Sequence, residues 1–131
     1  MGKIKILVVD DESTIREIIK DMITSNLRKS LPEITVESAS TGAEAIKDLK
    51  NNKYDLLLCD WQLSDMTGDK VIECLKASTE LNQTPFIMIT AYTDKEIIAK
   101  SLKLGAAGFI VKPFNAKTLT DKITHALKAR A

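Results

Sequence analysis

The chain has 131 residues, 44% of them hydrophobic and 28% charged, with a formal net charge of +1. That length suits one domain that buries about two-thirds of its surface, so a core can form without disulfides or a structural metal. The near-neutral balance excludes a global electrostatic pull toward nucleic acid or a membrane surface, and leaves local charge placement to carry any function. Cys59 and Cys74 fit neither a zinc spacing nor a redox pair and read as small buried hydrophobes. The opening MGKIKILVV is too short for a signal peptide, runs straight into acids and makes no convincing lipidation signal. A cytoplasmic setting is expected.

The first apolar run, Ile4–Val9, predicts a strand. It leads into a helix whose Ile15, Ile18, Ile19, Met22 and Ile23 follow the i, i+3, i+4, i+7, i+8 spacing of one buried face. A second strand is expected over 35–38, where Ile34 and Val36 alternate with polar residues as in an edge strand. Thr14 with Glu17, Thr41 with Glu44, and Thr93 with Glu96 each fit a capping box, in which a hydroxyl and a carboxylate satisfy orphan backbone donors. The third strand, 54–59, precedes a helix from near Gly68 that carries Val71, Ile72 and Leu75. The fourth, 85–89, precedes a helix with Ile97, Ile98 and Leu102 that ends near Gly105. The fifth, Gly108–Val111, precedes a last helix beginning around Asn115, with Leu119, Ile123 and Leu127 on its apolar face.

The runs ILVV, LLLC and FIMI are continuous rather than alternating, the pattern of parallel strands covered by helices on both faces. Five strand–helix units with short loops predict an α/β fold, a doubly wound parallel sheet with right-handed crossovers. No linker, repeat or low-complexity stretch divides the chain, so one domain over 1–131 with no output domain is expected.

Polar residues fall at the ends of those strands. Asp10, Asp11 and Glu12 follow the first, Asp60 the third, Thr90 the fourth and Lys112 the fifth. In an open α/β sheet the carboxyl ends of parallel strands face one edge, and ligands bind in the crevice there. Any one of these residues alone reads as a turn, a helix cap or a surface charge. Together they place acids, a hydroxyl and an ammonium at one edge, which folding by itself does not require.

Electrostatics limits what such a site can hold. Two carboxylates about 4 Å apart repel by roughly 4 kcal/mol at an effective dielectric near 20, so three together need a cation or a raised pKa. Oxygen-only ligands from Asp11 and Asp60 suit Mg2+ better than zinc or copper. A magnesium site with open positions binds phosphoryl oxygens, and an aspartate beside it can act as the nucleophile that becomes an aspartyl phosphate. Lys112 would neutralise a phosphoryl oxygen, with the backbone N–H groups of Trp61 and Ala91 as further donors. Catalysis of this kind is mostly positioning and charge neutralisation.

On VVDDESTIR at 8–16, CDWQLSDMTG at 59–68, MITAY at 88–92 and GAAGFIVKPF at 105–114, the chain resembles the receiver domains of bacterial response regulators, and among them the single-domain chemotaxis regulators. The likeness covers essentially the whole chain and its motifs are jointly specific. It implies a flavodoxin-like (βα)5 fold with sheet order 2-1-3-4-5, an order that general accounts of this fold give for such regulators and that is carried over here. It implies that a histidine kinase phosphorylates Asp60 and that Asp10, Asp11, Asp60 and the Gln62 backbone carbonyl hold magnesium. Thr90 and Lys112 would contact the phosphoryl group, and Thr90 with Phe109 would form the switch. The Lys112–Pro113 bond matches one that is often cis in the family.

The chain departs from the family pattern at Ser64 and Thr67, where Pro and Asp are common, and at Phe109, where the chemotaxis proteins carry Tyr. Gln62 and Tyr92 occupy variable positions associated with phosphate lifetime. The expected partners are the kinase, a phosphatase, and a downstream protein on the face formed by the fourth helix, fifth strand and fifth helix. The expected state is a monomer, with a dimer open on activation. Three readings compete: a receiver of a phosphorelay or of a larger regulator or hybrid kinase, a degenerate receiver that only binds, and an aspartyl-nucleophile phosphatase. The phosphatases place their nucleophile after the first strand, and a flavin module would need a phosphate-cradling loop where this chain has acids. His125 reads as a solvated helix residue, and Lys122, Lys128 and Arg130 suit the negative end of the last helix.

Overall fold

A computed structural model of the chain describes residues 3–91 and 94–130. Strands β1 (Ile4–Val9), β2 (Ile34–Ala39), β3 (Leu56–Cys59), β4 (Phe86–Thr90) and β5 (Gly108–Val111) form one parallel sheet in the order β2-β1-β3-β4-β5. Helices α1 (Ser13–Leu27), α2 (Gly42–Asn51), α3 (Gly68–Ala77), α4 (Lys95–Lys103) and α5 (Ala116–Ala129) alternate with them. The α/β class and the strand order are those expected.

The continuous apolar runs have a simple cause. Successive strand side chains point to opposite faces of a sheet, so a strand covered on both sides needs hydrophobes at every position. Ile6 and Val8 of β1, Leu56 and Leu58 of β3, and Ile87 and Ile89 of β4 enter a core with Ile19, Ile23, Leu119 and Ile123 of α1 and α5. Their neighbours Leu7, Val9, Leu57, Cys59, Phe86 and Met88 enter a second core with Leu49, Val71, Ile72 and Leu75 of α2 and α3. Strand β2, at the sheet edge, alternates buried Ile34 and Val36 with exposed Thr35 and Glu37, as its pattern predicted.

Several local expectations need correction. The Thr14–Glu17 capping box does not form, because α1 already begins at Ser13 with Glu12 as N-cap and no side-chain cap bond. Its start is set instead by the preceding turn, where the Asp10 carboxylate accepts the Glu12 N–H at 2.9 Å. At α2 the box forms with one half displaced: Thr41 accepts from Glu44 N at 3.1 Å, while Glu44 accepts from Ser40 N at 3.0 Å. Helix α4 is capped by Asp94, which accepts from Ile97 N at 2.9 Å; Thr93, assigned to that cap from the sequence, lies outside the described residues. Asn115 caps α5 by accepting from Thr118 N at 2.8 Å.

Two residues expected on buried helix faces are exposed, Ile18 at 40% and Leu102 at 61%. Ile18 flanks the stripe whose centre is Ile19 and Ile23. Beside Leu102 it is Ser101 that faces inward, its hydroxyl satisfied by donating to Ile97 O at 2.8 Å. The left-handed Gly105 (φ 93°) follows the end of α4, a conformation that glycine reaches without the Cβ penalty. Strand β3 begins two residues later than expected, since Asp55 is occupied otherwise. Its carboxylate accepts from Lys5 N at 2.8 Å and from Arg130 at 2.7 Å, tying the end of α5 to the edge opposite the candidate site.

Candidate functional site

The sheet ladder runs one residue beyond the strand ends, and this fixes the backbones that carry the site. Asp10 N donates to Ala39 O at 3.2 Å, Asp60 N to Val9 O at 3.0 Å and Lys112 N to Thr90 O at 3.0 Å. Thr90 itself is the last residue of β4 rather than the one after it, and is fully buried. Asp10 and Asp60 are therefore level at the ends of β1 and β3, with Thr90 one residue and Lys112 two residues further along, in a staggered row across four strands. The edge predicted from the sequence is real.

Lys112 joins the row. Its Nζ lies 2.6 Å from Asp10 Oδ2 and 2.8 Å from Asp60 Oδ2. Asp10 is 1% exposed and Asp60 6%, so both carboxylates are largely removed from water. The two remedies for crowded acids occur together here. One is the ammonium between them. The other is burial, which pushes the Asp10 carboxyl above its ordinary range even though Lys112 and the Glu12 N–H pull it down. Burial works to lower the Lys112 ammonium, but its bonds to Asp10 and Asp60 outweigh this and hold it above its ordinary value.

The remaining oxygens point to a hard cation. Among the described residues, the acids whose carboxylate oxygens all lie within 4.8 Å of one another are Asp10, Asp11 and Glu12. Asp11 and Glu12 are exposed and Asp10 is buried. Asp60 meets this group through the shared lysine, and its Oδ1 accepts Gln62 N at 3.3 Å. Carboxylates without imidazole or thiolate fit magnesium, the ion expected from the sequence.

Around this row, Trp61 is 6% exposed, and Gln62 and Ala91 are exposed. Phe109 is half-buried and packs against the α2–α3 core, as do Ile97 and Leu104 of the neighbouring α4 segment. The Lys112–Pro113 bond is cis, as the resemblance implied. Tyr92 lies outside the described residues. His125 is an exposed residue of α5.

Sequence reasoning missed three contributors. Glu12, placed at the edge by the sequence but given no role there, has its carboxylate with those of Asp10 and Asp11. Arg16 donates from its guanidinium to the Asp10 carbonyl at 2.7 Å, a contact that no apolar periodicity could signal. Gly68 opens α3 against the end of β3: a Cβ there would lie 2.3 Å from Asp60 O. A glycine at a helix start was visible in the sequence, but the backbone it must admit was not.

The family model described as the response regulator receiver domain matches residues 6–124. The chain is 38% identical to chemotaxis protein CheY-3 of Vibrio cholerae over 119 residues, which cover 91% of this chain and 88% of that protein. It is 36% identical to chemotaxis protein CheY of Pseudomonas aeruginosa, again over 119 residues, covering 91% and 92%. Among solved structures, V. cholerae CheY4 superposes with a TM-score of 0.84 at 27% identity, covering 95% of this chain and 99% of that one. A CheY-like receiver domain from Methanospirillum hungatei gives 0.84 at 30% identity, covering 97% and 95%. The row of acids and lysine at the strand ends thus occurs in a chain that belongs to the response regulator receiver domain family.

Proposed function

We propose that this receiver accepts a phosphoryl group on Asp60 from a phosphohistidine of a histidine kinase, in a magnesium-dependent step, and relays the change through protein contacts. The observation that carries this reading is the Lys112 ammonium held between Asp10 and Asp60 at the strand-end edge. An Asp60 oxygen attacks phosphorus, the P–O bond forms as the P–N bond breaks, and the imidazole leaves with the bonding pair and takes up a proton. The Asp10, Asp11 and Asp60 side chains and the Gln62 backbone carbonyl would hold magnesium, which would supply charge neutralisation for the phosphoryl oxygens. Lys112, freed from Asp60 when that carboxylate is esterified, donates to the phosphoryl group, as do the Thr90 hydroxyl and the backbone N–H groups of Trp61 and Ala91. Attack of water on phosphorus later releases inorganic phosphate and restores the carboxylate, with or without a phosphatase.

The output follows from Thr90 and Phe109. Movement of the Thr90 hydroxyl toward the phosphate opens space for Phe109, which is half-buried beside the α4 segment, and the α4–β5–α5 face changes. Its helices and strand carry exposed Leu102 and Val111 with exposed Lys95, Lys100, Lys103 and Lys122, while Lys117 is paired with Asp121 and Glu96 is exposed, so the face suits a protein target with an apolar patch and some acids. The names of the CheY relatives make chemotaxis the first pathway to test. The test is to incubate the protein and D60N with a small phosphodonor and magnesium. The unsubstituted chain should gain one phosphoryl group by mass with magnesium and none when a chelator is present from the start. Labelling of D60N would show that the acceptor is another residue.

A further inference from the structure

The loop from 61 to 67 joins the acceptor strand to α3, and it contains no proline to restrict its backbone. Its shape comes from contacts. At its base Gly68 N donates to Trp61 O at 2.5 Å, and Gln62 and Thr67 form an antiparallel bridge. Further out Leu63 N donates to Met66 O at 3.1 Å, with Leu63 itself buried. The tip is tied to a distant element. Asp65 Oδ1 accepts Gly42 N at 2.8 Å and Oδ2 accepts Ala43 N at 3.0 Å, the first two amides of α2.

These two amides are orphan donors of the helix start, and the helix's own cap, Thr41, serves only the next one, Glu44 N. Met66 reinforces the tie: a Cβ on Gly42 would lie 2.3 Å from its Sδ, so the glycine lets the loop close onto the helix. The two donated N–H bonds hold the Asp65 carboxyl below its ordinary range although the group is open to solvent. The base of the same closed loop carries Asp60 and Gln62, whose own N–H reaches the Asp60 carboxylate at 3.3 Å.

We propose that Asp65 is a positioning residue, whose clamp on the Gly42 and Ala43 amides holds the Asp60–Gln62 segment in the arrangement that binds magnesium. The inference rests on the magnesium site proposed above. It makes α2 the outer support of a site to which α2 contributes no ligand.

The test measures magnesium affinity by Trp61 emission, together with hydrogen exchange at Gly42 and Ala43, in the unsubstituted chain, D65A, D65N and T41A. D65A should weaken magnesium binding about 5- to 10-fold, near the lower end of the effect of removing groups that orient metal ligands, and speed exchange at both amides. D65N keeps one acceptor and should fall between. T41A removes the cap on Glu44 N and leaves both Asp65 bonds to the Gly42 and Ala43 amides in place, so its magnesium affinity should stay within about twofold of the unsubstituted value. Unchanged affinity in D65A, or equal weakening in T41A, would overturn the proposal and reduce Asp65 to a helix cap. Failure of the underlying reading looks different: the unsubstituted chain would then show no magnesium response, and this proposal would fall with it.

Discussion

Lys112 and Asp60 stand 2.8 Å apart, although the strands that deliver them, β5 and β3, are not neighbours. The lysine follows β5, and its side chain crosses the end of β4 to reach the acid that follows β3. Thr90, the last residue of β4, lies between them in the row. A short side chain after β5 could not make that span. Three strands are thereby connected through one ammonium, and any event that changes the charge at Asp60 is felt at β5.

Replacing Lys112 by Met keeps most of the stem and removes the charge. Asp10 and Asp60 then face one another without their cation. Breaking a buried ion pair costs about 3–5 kcal/mol; here protonation of Asp10 relieves part of it, so about 2–3 kcal/mol of stability should be lost in magnesium-free buffer. Magnesium should stabilise K112M more than the unsubstituted chain, because it replaces the missing positive charge. Urea unfolding with and without magnesium measures both effects, and equal magnesium gains in the two proteins would count against the argument.

Gly68→Ala tests the close approach at Asp60. The added methyl would meet the Asp60 carbonyl oxygen, a backbone atom that cannot swing aside as a side chain can. Forced overpacking costs about 1–3 kcal/mol, and the strain falls on Asp60, the proposed acceptor. We expect G68A to remain folded, to lose stability in that range by denaturant titration, and to accept phosphate more slowly than the unsubstituted chain.

Cys59 and Cys74 should differ in reactivity. Cys59 is fully buried, and burial pushes its thiol well above its ordinary value of 9.0, with the Asp60, Asp10 and Asp69 carboxylates adding to the effect. The thiolate is the reactive form, so Cys59 should resist alkylation in the folded protein. Cys74 is only half-buried. Peptide mapping after brief alkylation should find the label at Cys74 alone, and at both after unfolding.

Tyr54 carries an alkaline pH dependence. Its hydroxyl donates to Glu37 at 2.8 Å, and burial, then that bond and the Glu37 charge, raise its pKa above the ordinary 10.0. As pH rises past 10 the unfolded tyrosine loses its proton while the folded one keeps it. The unfolded state then binds fewer protons, so stability falls as pH rises through that window. Y54F removes this contribution. It should cost about 1 kcal/mol at neutral pH through the lost hydrogen bond, and the gap to the unsubstituted chain should close above pH 10. A constant gap across that range would show that the titration is not felt by folding.

Much of the fold was legible in the sequence because parallel strands buried on both faces leave an unbroken apolar signature. Ile4–Val9 is bounded correctly from that signature, Gly108–Val111 from a short apolar run at a partly exposed sheet edge, and the edge character of β2 from its alternation. Helix starts were less legible. Thr14 with Glu17 has the letters of a cap, but the Asp10 turn had already begun the helix, and Ile18 and Leu102 have the letters of a core without its contacts.

The same division applies to the site. The order of residues along the chain determined that Asp10, Asp11, Asp60, Thr90 and Lys112 come to one edge, since parallel strands share a direction and their ends share a side. It also determined that the side chains at that edge offer oxygens and one ammonium. Only the tertiary structure decided which charges meet: Lys112 between Asp10 and Asp60, Glu12 beside Asp10 and Asp11, Arg16 on the Asp10 carbonyl, and Asp65 on the start of α2. Those contacts depend on distances between elements far apart in sequence, and no local pattern of side chains encodes a distance.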